Sequence, residues 1–555
     1  MKNLAKSMQL TEMSRQAQAS NPASHPSTGG ETALFETLLA SGGDERLGHE
    51  PKTGRNGLGF SAGPEGSEIF LSSATATAVS PHGKAAALRA FELTMRAKER
   101  HGGKDGKSLP AWFDDIRRRL FDLFSPPGGE IALCASSAEA ELILLAMAQK
   151  LLVRPLTNLV VASREADTGV ALAADGRHFL GSAPFASQVS SGAALAGFPV
   201  AGRQLERFEL RDRYGAPLEA AEIEGQVTAQ VTVLVAAGRD VILHIADCSE
   251  TGQSGPSRRA AAALARAFPE NLLVVVDAGQ LRCPRETLRA DLDAGCIVLL
   301  SGSKFAGGPP FSGAVLVPPA LAARLKDMVL PEGLADYSAA LDWSPLLREN
   351  LRGNFSTLAN IGLGLRWECA LAELEAYFAL DAALRERIAA RFAQEVHSHL
   401  AASPQLKLAD YDWRPNAHVR TIFPILTFDD RGAAISAEKL FRALRNPKTT
   451  QATPATARPG RRPKKWPEKW PRQSRLHFER SHGQRIIHLG EPVAIGQMQA
   501  LRLCLCAAQV NDVARRLAGG EKFDYAFQPL ADDLAETFGR WNDLATHDPS
   551  YLEKA

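Results

Sequence analysis

The stretch from Leu272 to Arg282 reads LLVVVDAGQLR, and that from Gly295 to Val317 reads GCIVLLSGSKFAGGPPFSGAVLV. Each opens with a short run of apolar, mostly β-branched residues bounded by turn formers, the pattern of a strand buried on both faces. The first run stops at an acid, Asp277; the second stops at SGSK, with a lysine at 304. Doubly buried strands belong to mostly parallel sheets, whose ligands sit outside the carboxyl ends of the strands. Asp277 and Lys304 are both at carboxyl ends, so they are expected to face one crevice.

Working outward, short apolar runs alternate with helical patterns from about residue 130 to 320. The expected strands are EIALCAS (130–136), TNLVVAS (157–163), VILHIAD (241–247), LLVVVDA (272–278), CIVLLSG (296–302) and SGAVLVP (312–318). Amphipathic helices precede them, from Pro81 and from Leu109, and others lie between them, such as AEAELILLAMAQKLL and SRRAAAALARAF. This alternation predicts an α/β large domain with a mostly parallel sheet over 63–335. Residues 1–62 are rich in Ser, Gly, Pro and Thr without apolar period, and are expected to be disordered or loosely docked. From 336 to 555 the texture shifts to a long helical pattern (363–400) and strand-like runs at 419–428, 485–490 and 500–506, as in a smaller α+β domain. Within it lies a basic, Pro-rich insertion at about 447–475, with Trp466 and Trp470. Its proline density favours a solvated insertion over a nucleic-acid groove.

The bulk numbers are those expected of a soluble globular protein. At 555 residues it is too long for one ordinary domain, and a net charge of +2 gives no global pull toward nucleic acid. No apolar run reaches the roughly 20 residues that span a membrane. The N-terminus lacks the apolar core of a secretory signal, and the seven cysteines contain no CxxC pair, so no metal clamp is expected. A cytoplasmic protein with reduced thiols is the expectation.

The Asp277–Lys304 pair has a specific chemistry. A lysine amine forms a Schiff base with a carbonyl, and a carboxylate suits the far end of a pyridine ring, where it keeps the nitrogen protonated. Pyridoxal phosphate meets both needs. The pair alone leaves a bland reading open, because strands ending in Asp are common and Lys304 is equally readable as a solvated loop lysine. Three further stretches add to it: FLSSATATAVS (Phe70–Ser80), EIALCASSAEAEL (Glu130–Leu142) and HIADCSETG (His244–Gly252). They resemble, in order, the entry motif, the strand–turn–helix phosphate cradle and the SNETG segment of class V aminotransferases and cysteine desulfurases. The chain thus resembles that superfamily of fold-type I pyridoxal-phosphate enzymes over roughly residues 68–320.

The resemblance implies roles. Lys304 would carry the cofactor as a Schiff base and shuttle protons, Asp277 would pair with the pyridine nitrogen, and Gln280 would reach the phenolic oxygen. Ser136, Ser137 and the backbone of Ala138 would hold the phosphate at a helix N-terminus, where free N–H groups favour an anion. Ser301 and Ser303 would add hydroxyl donors, and Thr251 would lie beside the ring. Gly353–Asn354 would reach the phosphate of a partner subunit, making a homodimer with shared sites. A substrate carboxylate calls for an arginine fork; the candidates are Arg502, then Arg420 and Arg485. The chain also departs from the pattern. Ser137 and Ala138 stand where Gly and Thr are usual, and Ala166 stands where a ring-stacking His is expected, with His178 or Phe179 as substitutes.

Several functions compete. Family frequency puts an aminotransferase first. A lyase or hydrolase, or a non-catalytic descendant of the fold, are the alternatives. Sulfur transfer lacks a nucleophilic cysteine downstream of the lysine. A phosphate-loop NTPase is excluded, because SGSKFAGG lacks the upstream glycine spacing and puts Phe305 where Ser or Thr must follow the lysine.

Overall fold

The computed structural model describes residues 28–61, 68–99, 108–124, 128–162, 165, 168–186, 188–198, 202–349, 351, 355–409, 420–446 and 485–546. In chain order the strands are β1 (His49–Glu50), β2 (Arg55–Asn56), β3 (Glu68–Leu71), β4 (Glu130–Cys134), β5 (Leu156–Val161), β6 (Gln204–Phe208) and β7 (Asp240–Ala246). They continue as β8 (Leu272–Ala278), β9 (Ile297–Ser301), β10 (Gly313–Val317), β11 (Leu406–Leu408), β12 (Ile422–Thr427), β13 (Ile486–Ile495) and β14 (Met498–Cys504).

Seven strands form the large sheet in the order β4-β10-β9-β8-β7-β5-β6. The run from β9 to β6 is parallel, and β10 is antiparallel to both β9 and β4. The six apolar runs expected from sequence are six of these seven. The seventh, β6, is an edge strand, QLERF, with Gln204 and Arg207 exposed. An edge strand needs only one partner and one apolar face, so it leaves no apolar run to find. Helices cover both faces. The two cores meet the sheet from opposite sides, one containing Val274, Val276 and Val298, the other Leu273, Val275 and Ile297. That alternation along a single strand is why β8 must be apolar at every position before Asp277.

The second sheet has the order β11-β12-β14-β13-β3, antiparallel except for the β13–β3 pair. Its composition corrects the expected domain division in two places. Strand β3, placed by sequence in the large domain, pairs with β13, with Ile69 opposite Ile487 and Leu71 opposite Leu489. Conversely, the helical pattern expected in the C-terminal domain breaks at Leu380–Asp381, where the Asp381 carboxylate caps a new helix by accepting from the N–H groups of Ala383 and Leu384. The first half, Ile361–Ala379, packs into the large-domain core through Leu363, Leu365, Trp367 and Leu371. The second, Ala382–Ala401, packs on the small sheet through Ile388, Phe392 and Val396.

The N-terminal segment also differs from expectation. Between residues 32 and 61 the chain is anchored by four buried side chains, Phe35, Leu47, Leu58 and Phe60. Phe35 is buried against Phe91, ring centroids 5.8 Å apart, and Leu47, Leu58 and Phe60 are buried in a cluster with Ala76 and Phe311. The fully buried guanidinium of Arg366 donates to the carbonyls of Leu39, Gly42 and Phe311. Isolated anchors of this kind, and backbone carbonyls taken up by a distant arginine, leave no periodic mark in a sequence. The described residues contain no helix long and apolar enough to cross a membrane. The basic insertion at 447–475 lies outside the described residues.

Replacing Phe35 with Ala should cost about 3 kcal/mol of stability and release the segment around it to limited proteolysis before the sheets open. Wild-type melting and an unchanged cleavage pattern would show the segment to be loosely held after all.

Candidate active site

At the carboxyl ends of β7, β8 and β9 lies a cleft of about 540 Å³, within the size range of small-molecule sites. Asp277 is the penultimate residue of β8, flanked in register by Ala246 of β7 and Leu299 of β9. Its carboxylate is open to the cleft yet enclosed by the sheet ends. That enclosure raises its pKa, while the Gly279 N–H, donating at 2.9 Å, and the charge of Lys304 pull the other way.

Lys304 follows β9 in a loop clamped on all sides. The Gly302 N–H donates to the Ser312 carbonyl at 2.6 Å, the Gly308 N–H to the Gly302 carbonyl at 2.9 Å, and the Ser303 carbonyl accepts from the Thr77 N–H at 3.1 Å. Gly302 is required by space: a Cβ there would stand 2.7 Å from the Ala370 Cβ on the helix behind. The loop therefore turns where it does because the 361–379 helix presses on it. Lys304 keeps 17% of its side chain exposed and points its Nζ within 3.6 Å of Glu250 Oε1. Ser301 and Ser303 line the cleft with their hydroxyls 2.8 Å apart.

Opposite, the helix Ser137–Leu151 begins at the cleft. Ser136 is its N-cap, with its hydroxyl accepting from the Glu139 N–H at 3.2 Å. The first-turn N–H groups of such a helix have no intrahelical acceptor and form an anion site with the helix dipole. Ser136 and Ser137 line the cleft; the Ala138 side chain is buried behind them, so its part there is limited to backbone. The entry segment supplies the roof, with Thr75 and Ala76 in the lining. Gln280 donates to the Ala74 carbonyl at 2.8 Å and lines the cleft with its buried Oε1 unpartnered.

Of the three candidate arginines the structure brings only Arg502 to the cleft. It sits on β14 opposite Gly490 of β13, where the register shifts between Gly490 and Val493. Gly490 is needed there, since a Cβ would stand 2.9 Å from the Arg502 Cβ. The shifted strand aims the Glu491 carbonyl at the guanidinium, which donates to it from Nε (3.0 Å) and Nη2 (2.7 Å). Nη2 also donates to Thr75 Oγ1 at 2.6 Å, and Nη1 is bonded to the Glu250 carboxylate. Arg420 instead lies over the Phe423 ring, and Arg485 pairs with Asp533 and Glu536 in the small domain.

Three other expectations need correction. Thr251 is wholly buried and outside the cleft lining; its hydroxyl donates to Glu165 at 2.8 Å and accepts from Arg211. It holds the loop rather than the ligand. His178 and Phe179 also stay outside the lining, because both pack on Tyr337, His178 through a 2.9 Å hydrogen bond and Phe179 by stacking at 4.9 Å. The wall where they were expected is lined by Val161, Ala162, Glu165 and Val170. Gly353–Asn354 and Ala166 lie outside the described residues.

Sequence reasoning missed Glu250 and the floor of the cleft. There His244 is bonded to Asn158 at 2.9 Å and lies 3.6 Å from Glu141. Burial lowers His244 to about 4 and raises Glu141 to about 8, with Asp277 adding to the latter. Both are neutral near pH 7, so their contact is no ion pair. The sequence signal for Glu141 was an acid at the fifth position of the helix, two residues after Glu139, which by itself reads as a surface position.

Glu141 generates a pH prediction. Its folded pKa of about 8 exceeds the ordinary 4.5, so the folded protein holds this proton more tightly than the unfolded chain does. That advantage is complete below pH 4.5 and is lost as pH rises toward 8. Glu141→Gln should therefore flatten the fall in stability between about pH 4.5 and 8, measured by urea denaturation at several pH values. An unaltered slope would mean that Glu141 ionises normally in the fold.

No family model matches the chain, and no curated protein matches it by sequence. Among solved structures it is similar to the cysteine desulfurase CsdA (S-sulfonic acid form) of Escherichia coli, at 15% identity over 86% of this chain and 96% of that one, with a TM-score of 0.48. It is also similar to the cystine C–S lyase C-DES in complex with cysteine persulfide, at 12% identity over 86% and 98% of the two chains, with a TM-score of 0.49.

Proposed function

We propose that this chain is a pyridoxal-phosphate-dependent enzyme acting on an amino acid or amine through Lys304. One observation carries the reading: a single cleft gathers a strand-end carboxylate, a lysine, a helix N-terminus and a buried arginine from four separate elements. The residues fit the cofactor. Asp277, with a burial-raised pKa, would be stabilised by a cationic ring N–H and would hold the proton there. The helix start at Ser136–Ala138 would bind the phosphate, and Gln280 Oε1 awaits a donor. Bound in this cleft, the cofactor supplies an electron sink for carbanionic charge at the substrate. Lys304 Nζ would accept or return a proton on the substrate side, and Arg502 would orient a carboxylate. A dimer with shared sites belongs to the same reading.

The thiols bear on reaction type. Six of the seven cysteines are buried and Cys296 is partly so. Cys248 lines the cleft, but burial pushes its thiol pKa far up. A mobile thiolate nucleophile is therefore not provided, which weighs against sulfur transfer. Amino-group transfer, expected on family frequency, has no observation of its own in the site; bond cleavage by a lyase stands beside it. Ammonia released from an amino acid without added keto acid would establish cleavage, and strict dependence on a keto-acid acceptor would establish transfer.

The cofactor itself is tested by incubating the protein with pyridoxal phosphate, reducing with borohydride and mapping the product by mass spectrometry. A pyridoxyl group on Lys304 is expected. Its absence, or scatter over surface lysines, would favour a non-catalytic descendant. Asp277→Ala should leave folding nearly intact and lower kcat/KM by roughly a hundredfold or more; turnover equal to wild type would refute the ring-nitrogen role.

A further inference from the structure

We propose that Glu250 is a resident carboxylate occupying the substrate's own anion position, so that the site admits α-amino acids and turns away simple amines. The proposal deepens the reading above and rests on it for the role of Lys304.

Glu250 bridges two of the cations that line the cleft, Arg502 and Lys304. Its Oε2 is bonded to Arg502 Nη1, and its Oε1 lies 3.6 Å from Lys304 Nζ. An amino acid must engage the same pair, its carboxylate on the arginine and its amine-bearing carbon beside the lysine. The remaining bonded arms of Arg502 go to parts of the wall, the Glu491 carbonyl and the Thr75 hydroxyl. Arg502 is only 1% exposed and cannot swing away, whereas the Glu250 side chain is 22% exposed within the cleft. Glu250 is thus the member that moves.

Its backbone is held from both sides. Glu165 Oε2 accepts from the Ser249 hydroxyl at 2.5 Å, from the Thr251 N–H at 3.0 Å and from the Thr251 hydroxyl at 2.8 Å. Motion is confined to the Glu250 side-chain torsions, which makes it a two-position arm and not a loop. Leaving Arg502 without an anion strands a buried charge, which is strongly unfavourable. A ligand that brings its own carboxylate replaces Glu250 at no loss of pairing. An amine brings none, so Glu250 stays over the lysine.

The test uses the cofactor-free full chain and propionate, a carboxylate without an amine, titrated by calorimetry, with ethylamine as the control. Glu250→Gln should bind propionate about tenfold more tightly than wild type, about 1.4 kcal/mol, with ethylamine unchanged. Adding Arg502→Met should erase the gain. Glu250→Ala, checked for a wild-type Tm, should move affinity in the same direction. Equal propionate affinity in wild type and both Glu250 variants, or a gain that survives Arg502→Met, overturns the proposal. Because this titration needs no cofactor, a missing pyridoxyl group on Lys304 defeats the cofactor reading alone and leaves the resident-carboxylate result standing.

Discussion

Arg282 ties the molecule together at its centre. Five residues past Asp277, it leaves β8 and is buried where the two sheets meet. Its Nη1 donates to the Leu505 carbonyl at 2.6 Å and to Thr421 Oγ1 at 3.1 Å, and its Nη2 to the Ser73 hydroxyl at 2.9 Å and carbonyl at 3.2 Å. Its guanidinium lies 4.8 Å from the centre of the Phe305 ring, next to the lysine. One cation thereby connects the large sheet, the entry segment, the small sheet and the lysine loop. Burial disfavours its charged form and lowers its pKa, and these acceptors satisfy the N–H groups that burial takes from water. The cleft walls come from all four of those parts, and their spacing depends on this junction.

The cleft is built from charges that answer one another. Glu165 pins Ser249 and Thr251 and faces Arg211 at 3.5 Å, while Glu250 answers Arg502. Beneath them His244 and Glu141 are kept neutral by burial. In a partly desolvated cavity each pairing is stronger than it would be in water, and each unpaired group is more costly. A site organised this way holds its polar groups in place before a ligand arrives, and it is selective because a ligand must replace whatever pairing it breaks.

Close packing sets the remaining geometry. The lysine loop turns at Gly302 because Ala370 leaves no room for a side chain, and Arg502 reaches the cleft because Gly490 leaves room for it. Both glycines sit where another element presses on the backbone, one a helix of the C-terminal half and one a neighbouring strand. The catalytic candidates are thus positioned by residues that never touch the cleft.

The amino-acid order by itself determined the α/β alternation, six of the seven large-sheet strands, and the placing of Asp277, Lys304 and the Ser136 helix start at strand ends. These are local signals: an apolar run between turn formers marks a doubly buried strand wherever it occurs, and parallel strands send their carboxyl ends to one side. Tertiary structure alone decided which of the three candidate arginines enters the cleft, that Glu250 meets both Arg502 and Lys304, that Thr251 and His178 turn away, and that residues 32–61 are anchored. It also gave β3 to the small sheet. Glu250 and Arg502 are 252 positions apart, and β3 meets β13 more than 400 residues along the chain. Contacts over such separations are made by sheet pairing and core packing, and a charged side chain on an otherwise ordinary strand or loop looks the same in sequence whether it faces solvent or a partner.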